Sequence, residues 1–535
     1  MRQITVILAL LVAASCSSDD ETPQGTIGYV EGFIGGIAAD EPRAALIGRD
    51  ILSAGGSAAD AAAAVYFTLA VTMPSSASLG GGGVCVIHDS PSKTTQTIDF
   101  LARAPAAIGP AASRPSAVPG NVRGFFALQS KYGRLRWEQI ISPAENLARF
   151  GNQISRAFAH DLAPLKEALM AERETMRIFG AKDRGGLAGE GDFIVQLDLA
   201  AVLGRLRVQG PGDFYNGRFT PQLVAAVNET GGSLSVEDMR RFSPVWRDTV
   251  KVKFGNLTAH FAPPPAAAGV VAAEMWAMLV GGGDYEDASP EERPHLLAEA
   301  AMRAYADRDG WLGDDGTVSV SVDSLITPER VKGLMAGYRD DRHFPAAQLS
   351  PGMKPRPENP AATSFVAVDQ DGSAVACTVT MNNPFGTGRI ARGTGILLAA
   401  APGKGGRGSV SLGPMLVINH FVNEFHFAAA ASGGVTAPTS MINVAAAALL
   451  GEPELNEAIS QKRVHHGGMP DLTYYEQGMG EQLVQGLTRR GHDVAATPTL
   501  GLVNAMNCVK GIPPRPETCQ VRSDPRGFGL AVSSD

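Results

Sequence analysis

Residues 359–388 read NPAATSFVAVDQDGSAVACTVTMNNPFGTG, and this stretch decides the fold. A proline-rich run at 351–360 ends there, and an apolar segment rich in β-branched residues begins at Thr363. The sequence DQDG at 369–372 has the composition of a tight turn, and a second apolar segment runs over 374–381. The stretch therefore predicts a linker followed by two antiparallel strands.

The residues at the start of the first strand suggest a chemistry. Self-cleaving N-terminal-nucleophile hydrolases cut their own chain before a Thr or Ser at the start of a strand, and the new α-amine then activates that hydroxyl. Thr363 is the first hydroxyl residue of the predicted strand. It is therefore the candidate nucleophile for hydrolysis or transfer of an amide, and a small amide or peptide is the expected ligand.

Composition limits the class of protein. The chain has 535 residues, of which 44% are hydrophobic and 19% are charged, so it is long enough for one large core or two intimate domains. Its 62 Gly and 35 Pro follow no repeat, which excludes a collagen-like chain. The net charge of -8 and the lack of a basic stripe with interleaved aromatic residues argue against nucleic acid as a partner.

The N-terminus is typical of an exported protein. Arg2 precedes an apolar run at 4–14, which has the length of a signal-peptide core and is too short to span a membrane. Ala13-Ala14-Ser15-Cys16 resembles a bacterial lipobox, although an ordinary signal peptide is the alternative. The lipobox predicts removal of residues 1–15, lipidation of Cys16, and a polar tether at 16–34. We therefore expect an envelope lipoprotein that faces the periplasm from the outer membrane.

Export permits disulfides. Cys508 and Cys519 flank a polar, proline-rich loop and are expected to close a small ring, with two free thiols as the alternative. Cys85 and Cys377 lie in apolar segments and are expected to be buried small hydrophobic residues. Because no Cys/His spacing is typical of a zinc site, neither a metal nor a cofactor is predicted.

Helical and extended segments follow different parts of the chain. Helical patterns dominate the first two thirds and strand patterns the last third, which favours a four-layer α/β/β/α sandwich over an open parallel sheet. Ser57, with Asp60 in the first turn, is expected to cap the second helix. Helices are expected at 42–54, 58–71, 120–132, 142–150, 197–209, 236–242, 269–280, 291–311 and 439–450, and further strands at 84–88, 395–400, 409–419 and 426–430.

A series of motifs in a fixed order resembles the γ-glutamyltransferase (glutathione hydrolase) family over about residues 35–530. The resemblance implies an N-terminal-nucleophile hydrolase that acts in glutathione metabolism and is cut into two chains. Residues 35–360 then correspond to the large subunit and residues 361–535 to the small subunit, which carries the catalytic strand. The motifs are AGGSAADAAAA at 54–64, SLGGGG at 78–83, VPG at 118–120, YGRL at 132–135, FYNG at 214–217, PPP at 263–265, ADR at 306–308, GILL at 395–398 and SDPR at 523–526.

The chain departs from this family at the nucleophile. The family cuts before the first Thr of Thr-Thr-His, and this Thr corresponds to Ala362, with the second Thr at Thr363 and the His at Ser364. A one-residue slip that places Thr363 at the cleavage point turns its side chain to the opposite sheet face, unless a bulge intervenes. Ser364 shares the face of Ala362 but lies roughly 6.6 Å farther along the strand.

The substrate pocket that the resemblance implies is also altered. Leu101 occupies the position of the Arg that binds the substrate α-carboxylate, and Arg103 is the candidate replacement, with a surface role as the alternative. Residues 399–405 read AAAPGKG in place of a segment with an Asp that binds the α-amine, so Lys404 brings the wrong charge sign. The paired serines that follow correspond to Val410 and Ser411, of which Ser411 keeps the hydroxyl.

Other parts of the family machinery are present. Thr380 and Asn382 match polar positions beside the nucleophile, and Gly433-Gly434 match the backbone N–H pair that forms the oxyanion hole. Tight backbone packing is the alternative explanation for the glycines. His465-His466 resembles a family His-His segment and is interpreted as structural.

Two hypotheses follow for function. In the first, the chain is an uncleaved, non-catalytic relative that serves as a binding or scaffold lipoprotein. In the second, it is a self-processed amidohydrolase or acyltransferase with Thr363 as nucleophile, Thr380 and Asn382 as orienting groups, and Gly433-Gly434 as the oxyanion hole. Self-cleavage distinguishes the two.

Overall fold

The computed structural model describes residues 32–183, 185–281, 284–313, 317–350, 361–403, 411–451 and 454–533. Cys16, Lys404, Val410 and the proline-rich run at 351–360 lie outside the described residues, so the predictions for them stay predictions. Within the described residues no helix is both long and apolar enough to cross a membrane.

The strands and helices are numbered in chain order. The strands are β1 Gly35–Ala39, β2 Gly82–Asp89, β3 Thr94–Phe100, β4 Asn152–Gln153, β5 Phe193–Ile194, β6 Val245–Asp248, β7 Val250–Phe254, β8 Leu257–Phe261, β9 Ala362–Asp369, β10 Ala374–Thr380, β11 Ile390–Ala391, β12 Ile396–Leu397, β13 Met415–Asn419, β14 Glu424–Ser432, β15 Val464–His466, β16 Thr473–Glu476, β17 Val494–Thr497, β18 Leu502–Ile512, β19 Cys519–Arg522 and β20 Leu530–Ser533. The helices are α1 Pro42–Ser53, α2 Ala58–Thr72, α3 Pro74–Ala77, α4 Asn121–Tyr132, α5 Trp137–Phe150, α6 Arg156–Leu162, α7 Lys166–Met170, α8 Arg173–Phe179, α9 Leu197–Gln209, α10 Pro211–Tyr215, α11 Phe219–Glu229, α12 Val236–Arg241, α13 Ala268–Gly281, α14 Asp284–Asp287, α15 Arg293–Trp311, α16 Pro328–Leu334, α17 Ala346–Leu349, α18 Ala437–Leu450, α19 Leu455–Ser460 and α20 Glu481–Arg489.

Two antiparallel sheets form the centre of the molecule. One has the strand order β20-β1-β9-β10-β2-β3-β6 and the other the order β19-β18-β14-β13-β8-β7. Each sheet draws strands from both sides of residue 361, so the two regions that the resemblance assigns to a large and a small subunit share both sheets. An apolar cluster that includes Val366, Leu416 and Met506 fills the space between the sheets.

Helices cover the outer face of each sheet. The first sheet packs on α1, α2 and α4, with α5 beyond α2, through a cluster that includes Phe125, Phe365 and Ala367. The second sheet packs on α13 and α18, with α15 beyond them, through a cluster that includes Trp276 and Met441. Because the layers follow the order helix, sheet, sheet, helix, the predicted α/β/β/α sandwich is confirmed.

The hairpin predicted from the quoted stretch is present. β9 and β10 pair from Ala362↔Thr380 to Val368↔Ala374 without a register shift. The Asp369 carboxylate accepts the N–H groups of Asp371 at 3.1 Å and Ser373 at 2.9 Å, which closes the turn. It also accepts the N–H of Ala58, the first residue of α2, at 3.1 Å, so the turn residue fixes the hairpin against a helix terminus.

Most expected helices are confirmed, and α2 illustrates why. Ser57 and Asp60 exchange side-chain and backbone hydrogen bonds in a capping box, as their spacing indicates. Two expected strands are wrong in extent, because only Ile396–Leu397 of 395–400 is extended and the strand predicted at 409–419 begins at Met415. Pro414 has no N–H for a ladder hydrogen bond, which agrees with a strand that begins at Met415, and a continuous apolar run such as 395–400 does not by itself identify a strand.

The cysteines form two disulfides. Cys508 and Cys519 are bonded, with their Cα atoms 4.0 Å apart, in the pairing that the sequence favours. Cys85 and Cys377 are also bonded, with a Cα separation of 4.1 Å, so the expectation of two unpaired hydrophobic residues is wrong. The physical reason is strand register. Cys85 on β2 lies directly opposite Cys377 on β10, and the sequence does not reveal which residues of these two strands pair.

Candidate active site at the start of the catalytic strand

The first three residues of β9 point to alternate faces of their sheet. Ala362 packs against the cluster between the two sheets, and the two-residue period places Ser364 on the same face. Thr363 lies on the opposite face, with Phe365 and the helices beyond it. Because the pairing has no bulge here, the bulge that could return Thr363 to the face of Ala362 is not present.

A buried carboxylate holds this strand start. Asp40, directly after β1, accepts a hydrogen bond from the Thr363 hydroxyl at 3.0 Å and from the Ser364 N–H at 2.9 Å, both on Oδ2. Its Oδ1 accepts from the amide of Asn504, on β18, at 2.6 Å. The same amide also donates to the Ser364 carbonyl at 2.9 Å and hydroxyl oxygen at 3.0 Å. Asp40 and Asn504 thus join strands of both sheets to the start of β9.

The environment of Asp40 changes its ionisation. Complete burial raises the pKa of Asp40 to about 6, since the charged form loses its hydration, and the Ser364, Asn504 and Thr363 donors oppose this effect. A carboxylate beside a hydroxyl is the arrangement that can take a proton from a nucleophile. However, the side chains of Thr363 and Ser364 are fully buried, so in this structure a substrate has no access to either hydroxyl.

Thr380 and Asn382 support the backbone just before β9. The Thr380 hydroxyl donates to the Ala361 carbonyl at 2.6 Å and accepts the Asn382 N–H at 3.0 Å. The Asn382 amide donates to the Ala400 carbonyl at 2.9 Å, from a backbone with φ of 61°. The Ala361 carbonyl belongs to the peptide bond before Ala362, which is the bond that the resemblance implies is cut. A donor on that carbonyl is therefore present, while the attacking hydroxyl is missing.

The glycine pair lies where β14 leads to α18. Gly433 and Gly434 have φ of 130° and 65°, values that favour glycine. A Cβ on Gly433 would lie 2.7 Å from the Cα of Gly501, so close packing alone explains this glycine. The predicted oxyanion role of the pair stays a prediction.

Most residues of the expected substrate pocket are buried, and Arg103 lies on the surface. Leu101 is buried among the apolar side chains between the sheets. Arg103 is exposed, and its guanidinium lies 5.4 Å from the ring centroid of Phe242, which agrees with the surface alternative. Ser411 is buried, as are Ala399–Ala401 before it. The predicted role of Arg103 and Ser411 in substrate binding stays a prediction.

Histidine side chains meet carboxylates beside the His465-His466 segment. His466 Nε2 lies 3.1 Å from Asp471 Oδ1, and His466 Nδ1 accepts the N–H of Gly468. His343 lies between Glu299, at 2.7 Å, and Asp471, at 2.9 Å. Because the Gly468 N–H occupies Nδ1, His466 donates through Nε2. The ring nitrogens of His343 and His466 therefore have protein partners, in accord with the structural interpretation.

A second pair of imidazoles completes this group. His295 and His492 share a hydrogen bond of 2.7 Å, and their outer nitrogens contact the Arg339 carbonyl and the Thr473 hydroxyl. Ligand atoms of His295, Glu299 and His492 lie within 4.8 Å of one another, as do those of His343, His466 and Asp471. Sequence reasoning missed both groups, because their members come from four separate segments. The hydrogen bonds account for the arrangement without an ion.

Sequence reasoning also missed the central carboxylate of the candidate site. Asp40 and Asn504 are 323 and 140 residues from Thr363 and Ser364 respectively. The only local signal is the sequence Asp40-Glu41-Pro42 at the end of an apolar strand, where a polar residue before a helix is ordinarily a cap. Glu41, not Asp40, caps α1 in the structure.

Comparison with known proteins identifies similar chains. The family model described as gamma-glutamyltranspeptidase matches residues 44–402 and 399–534. The glutathione hydrolase proenzyme of Escherichia coli (strain K12) is 28% identical over 93% of this chain and 93% of its own length. The glutathione hydrolase proenzyme of Pseudomonas aeruginosa is 27% identical over 93% of this chain and 94% of its own.

Solved structures agree on the fold. A cephalosporin acylase from Bacillus halodurans superposes with a TM-score of 0.78 at 21% identity and covers 97% of this chain and 99% of that chain. The gamma-glutamyltranspeptidase of Helicobacter pylori gives a TM-score of 0.53 at 30% identity and covers 61% of this chain and 96% of that chain. Together these likenesses support the N-terminal-nucleophile hydrolase fold.

Proposed function

Because this chain belongs to the gamma-glutamyltranspeptidase family, we propose that it keeps the family fold as a non-catalytic envelope protein. In this role it neither cuts itself nor transfers γ-glutamyl groups, and it binds a partner or ligand instead. The lipobox-like sequence ending at Cys16 supports an anchored position in the bacterial envelope.

The observation that carries the proposal is the start of β9. Ala362 has no oxygen with which to attack a carbonyl, and the hydroxyl of the next residue, Thr363, points to the other face and donates to Asp40. Loss of a nucleophile lowers the rate of catalysis by several orders of magnitude, far more than the loss of one oxyanion donor.

The pocket supports the same conclusion independently. Leu101 and Ala399–Ala401 replace charged and polar groups with buried apolar ones. Each missing charge-assisted contact weakens substrate binding by roughly 1.5–3 kcal/mol. Restoration of the nucleophile alone would therefore leave γ-glutamyl recognition weak.

A second candidate function is an amidohydrolase or acyltransferase that uses Thr363. The observation in its favour is the 3.0 Å contact between the Thr363 hydroxyl and Asp40 Oδ2, which pairs a potential nucleophile with a potential base. The similar Bacillus halodurans structure is described as a cephalosporin acylase, and amide substrates other than γ-glutamyl compounds therefore belong in the test. This function requires the buried start of β9 to open.

The intact mass of the purified protein tests the proposal, together with N-terminal sequencing of any fragment. We expect a single chain from its processed N-terminus to Asp535, and no release of product from γ-glutamyl or cephalosporin amides. A fragment that begins at Thr363 overturns the proposal in favour of the second candidate, and one that begins at Ser364 overturns it in favour of Ser364 as the nucleophile.

Two variants identify the origin of any cut. Thr363→Ala abolishes a cut made by Thr363, whereas Ser364→Ala, the matched control, leaves it unchanged. A cut within 351–360 that persists in both variants indicates an external protease and leaves the proposal standing.

A further inference from the structure

Four turns meet at one end of the sandwich, opposite the start of β9. This turn end comprises residues 90–93, 255–256, 370–373 and 420–423. The N–H of Ser90 donates to the Ser373 hydroxyl oxygen at 3.1 Å, and the amide of Asn423 donates to the Ser90 carbonyl at 3.0 Å. Gly255 and Phe421 line the same cavity, which connects the remaining turn to this group.

The turn end carries a concentration of positive charge. A cavity of about 550 Å³ is lined by Lys93, Lys251 and Lys253, and no carboxylate is found among the described residues that line it. His260 and His420, which also line it, share a hydrogen bond of 2.7 Å between their Nε2 atoms. Since one of these nitrogens must accept, the two imidazoles do not both carry charge, and the lysines supply the positive field.

Two of the neighbouring acidic groups have a close partner: Asp89 bonds within its own turn, and Asp371, in the turn at 370–373, forms an ion pair of 2.8 Å with Arg134. Asp89 accepts the N–H and hydroxyl of Ser92, whereas Glu424 lies 3.8 Å from His426, which is beyond hydrogen-bond distance, so Glu424 offsets part of the lysine charge. The lysine side chains at the cavity are exposed, in a chain whose formal net charge is -8. A cluster of three lysines on an acidic protein attracts an anionic surface rather than a cationic one.

Large apolar side chains project beside these lysines. Phe421 is 85% exposed and Val422 57% exposed at the tip of the turn between β13 and β14. An exposed aromatic residue with an apolar neighbour, next to basic residues, is the combination that binds membrane interfaces. The apolar side chains enter the boundary between headgroups and acyl chains, while the basic side chains contact headgroup phosphates.

The path of the chain brings its N-terminal segment to the same end. β1 begins at Gly35, which pairs with Asp369 at the first corner of the turn at 370–373. Residues 1–31, which contain the apolar run at 4–14 and Cys16, therefore join the described fold at the turn end. A chain held at a membrane through this segment is attached at the end of the fold that carries Phe421 and the lysines.

We propose that the turn end is a docking surface for a bilayer with anionic headgroups, with Phe421 and Val422 as the inserted side chains and Lys93, Lys251 and Lys253 as the headgroup contacts. This inference goes beyond the proposed function and holds whether or not the chain is catalytic.

Insertion of the tip is measured on the full chain with Cys16→Ser, which removes the lipidation site from every sample. Phe421→Trp adds a fifth tryptophan at the tip, and its signal is isolated by subtraction of the emission of the Cys16→Ser parent, which has four. Vesicles of phosphatidylcholine and brominated phosphatidylglycerol quench this signal where the side chain enters the bilayer. We expect at least twofold quenching for Phe421→Trp and none for Phe150→Trp, the control at an exposed phenylalanine at the end of α5. Equal quenching at both positions, or at neither, overturns the proposal.

Vesicle co-sedimentation separates the apolar and electrostatic contributions in the same background. Phe421→Ser/Val422→Ser is expected to lower the bound fraction at least tenfold, whereas Phe150→Ser leaves it unchanged. Lys93→Gln/Lys251→Gln/Lys253→Gln is expected to remove the preference for phosphatidylglycerol over phosphatidylcholine and the sensitivity to salt. Unchanged binding in these variants contradicts the proposal.

Two alternative occupants are tested directly. Full competition by inorganic phosphate at constant ionic strength would assign the lysines to a free anion and overturn the bilayer proposal. A dimer in light scattering that Phe421→Ser dissociates would assign the tip to a second copy of the chain and also overturn it.

Discussion

The two ends of the β9–β10 hairpin differ in how their polar and apolar groups are used. At the Ala362↔Thr380 end, hydroxyl, amide and carboxylate groups are buried and bonded to one another. At the end formed by the turn at 370–373, the adjacent turns expose Phe421 and three lysines to solvent. Most polar groups at the end where family chemistry is expected are thus hydrogen-bonded within the protein, although the Asn504 amide oxygen and the Thr378 hydroxyl are buried without such a bond to any described residue. The opposite end carries groups that are exposed to solvent.

The largest expected effect tests whether the first end lacks only its nucleophile. Ala362→Thr restores a hydroxyl on the face between the sheets, next to a scissile carbonyl that Thr380 already contacts. We therefore expect self-cleavage before residue 362, seen as two fragments in the intact mass, where the natural chain gives one species. γ-Glutamyl hydrolysis should stay undetectable, because Leu101 and Ala399–Ala401 are unchanged.

Ala362→Val is the matched control, since it adds similar volume without an oxygen. Cleavage in the valine variant would contradict the role of the hydroxyl. An uncut threonine variant would show that the loss at this end extends beyond position 362.

The next effect concerns the bond that joins the hairpin to the large-subunit region. The Cys85–Cys377 disulfide connects β2 to β10, and its two cysteines lie on opposite sides of the expected cut before residue 362. The fragments of the cut Ala362→Thr chain should therefore migrate together in denaturing gel electrophoresis without reductant and separate with it. Cys85→Ser/Cys377→Ser should release the fragments without reductant and lower the free energy of unfolding by about 2–5 kcal/mol.

Cys508→Ser/Cys519→Ser is the control, because that disulfide lies wholly within the small-subunit region. The fragments of this control should stay together without reductant, because Cys85 and Cys377 are unchanged. If they separate, the Cys85–Cys377 disulfide does not form in the mature protein.

Local sequence signals predicted the hairpin but not its surroundings. The composition of residues 369–372 and the capping pair Ser57 and Asp60 are readable because each depends on neighbours in sequence. The contact between Asp40 and Thr363 spans 323 residues, and it depends on which strands become neighbours. The same holds for the Cys85–Cys377 bond, because register between distant strands is a property of the assembled sheet.

A smaller effect tests the buried charge at the first end through pH. The pKa of Asp40 is raised from 3.8 to about 6 in the folded protein, mainly by burial. Between about pH 4 and 6 the folded protein keeps this proton while the unfolded chain loses it, so the stability of the natural protein falls as pH rises through this window. Asp40→Asn does not titrate, so its free energy of unfolding lacks this contribution.

The difference in unfolding free energy between the natural protein and Asp40→Asn isolates this carboxylate from the other titrating groups. This difference, natural minus variant, should decrease by up to roughly 3 kcal/mol from pH 4 to pH 7 and then level off. A difference that is constant over this range would mean that Asp40 is ionised throughout and that the first end is more hydrated than its burial indicates.

The smallest expected effect is the change in the free energy of unfolding when an exposed side chain at the turn end is replaced. Phe421→Ser should change the free energy of unfolding by less than about 0.5 kcal/mol, because its side chain is 85% exposed. Phe365→Ala, in β9 and fully buried, should lower it by about 3–5 kcal/mol and serves as the control. Urea denaturation at one pH measures both.

A large loss of stability for Phe421→Ser would mean that the tip packs on the protein and is not available to a bilayer. If stability is unchanged while vesicle binding is lost, the function of Phe421 lies outside the fold, and the two ends of the hairpin have separate roles.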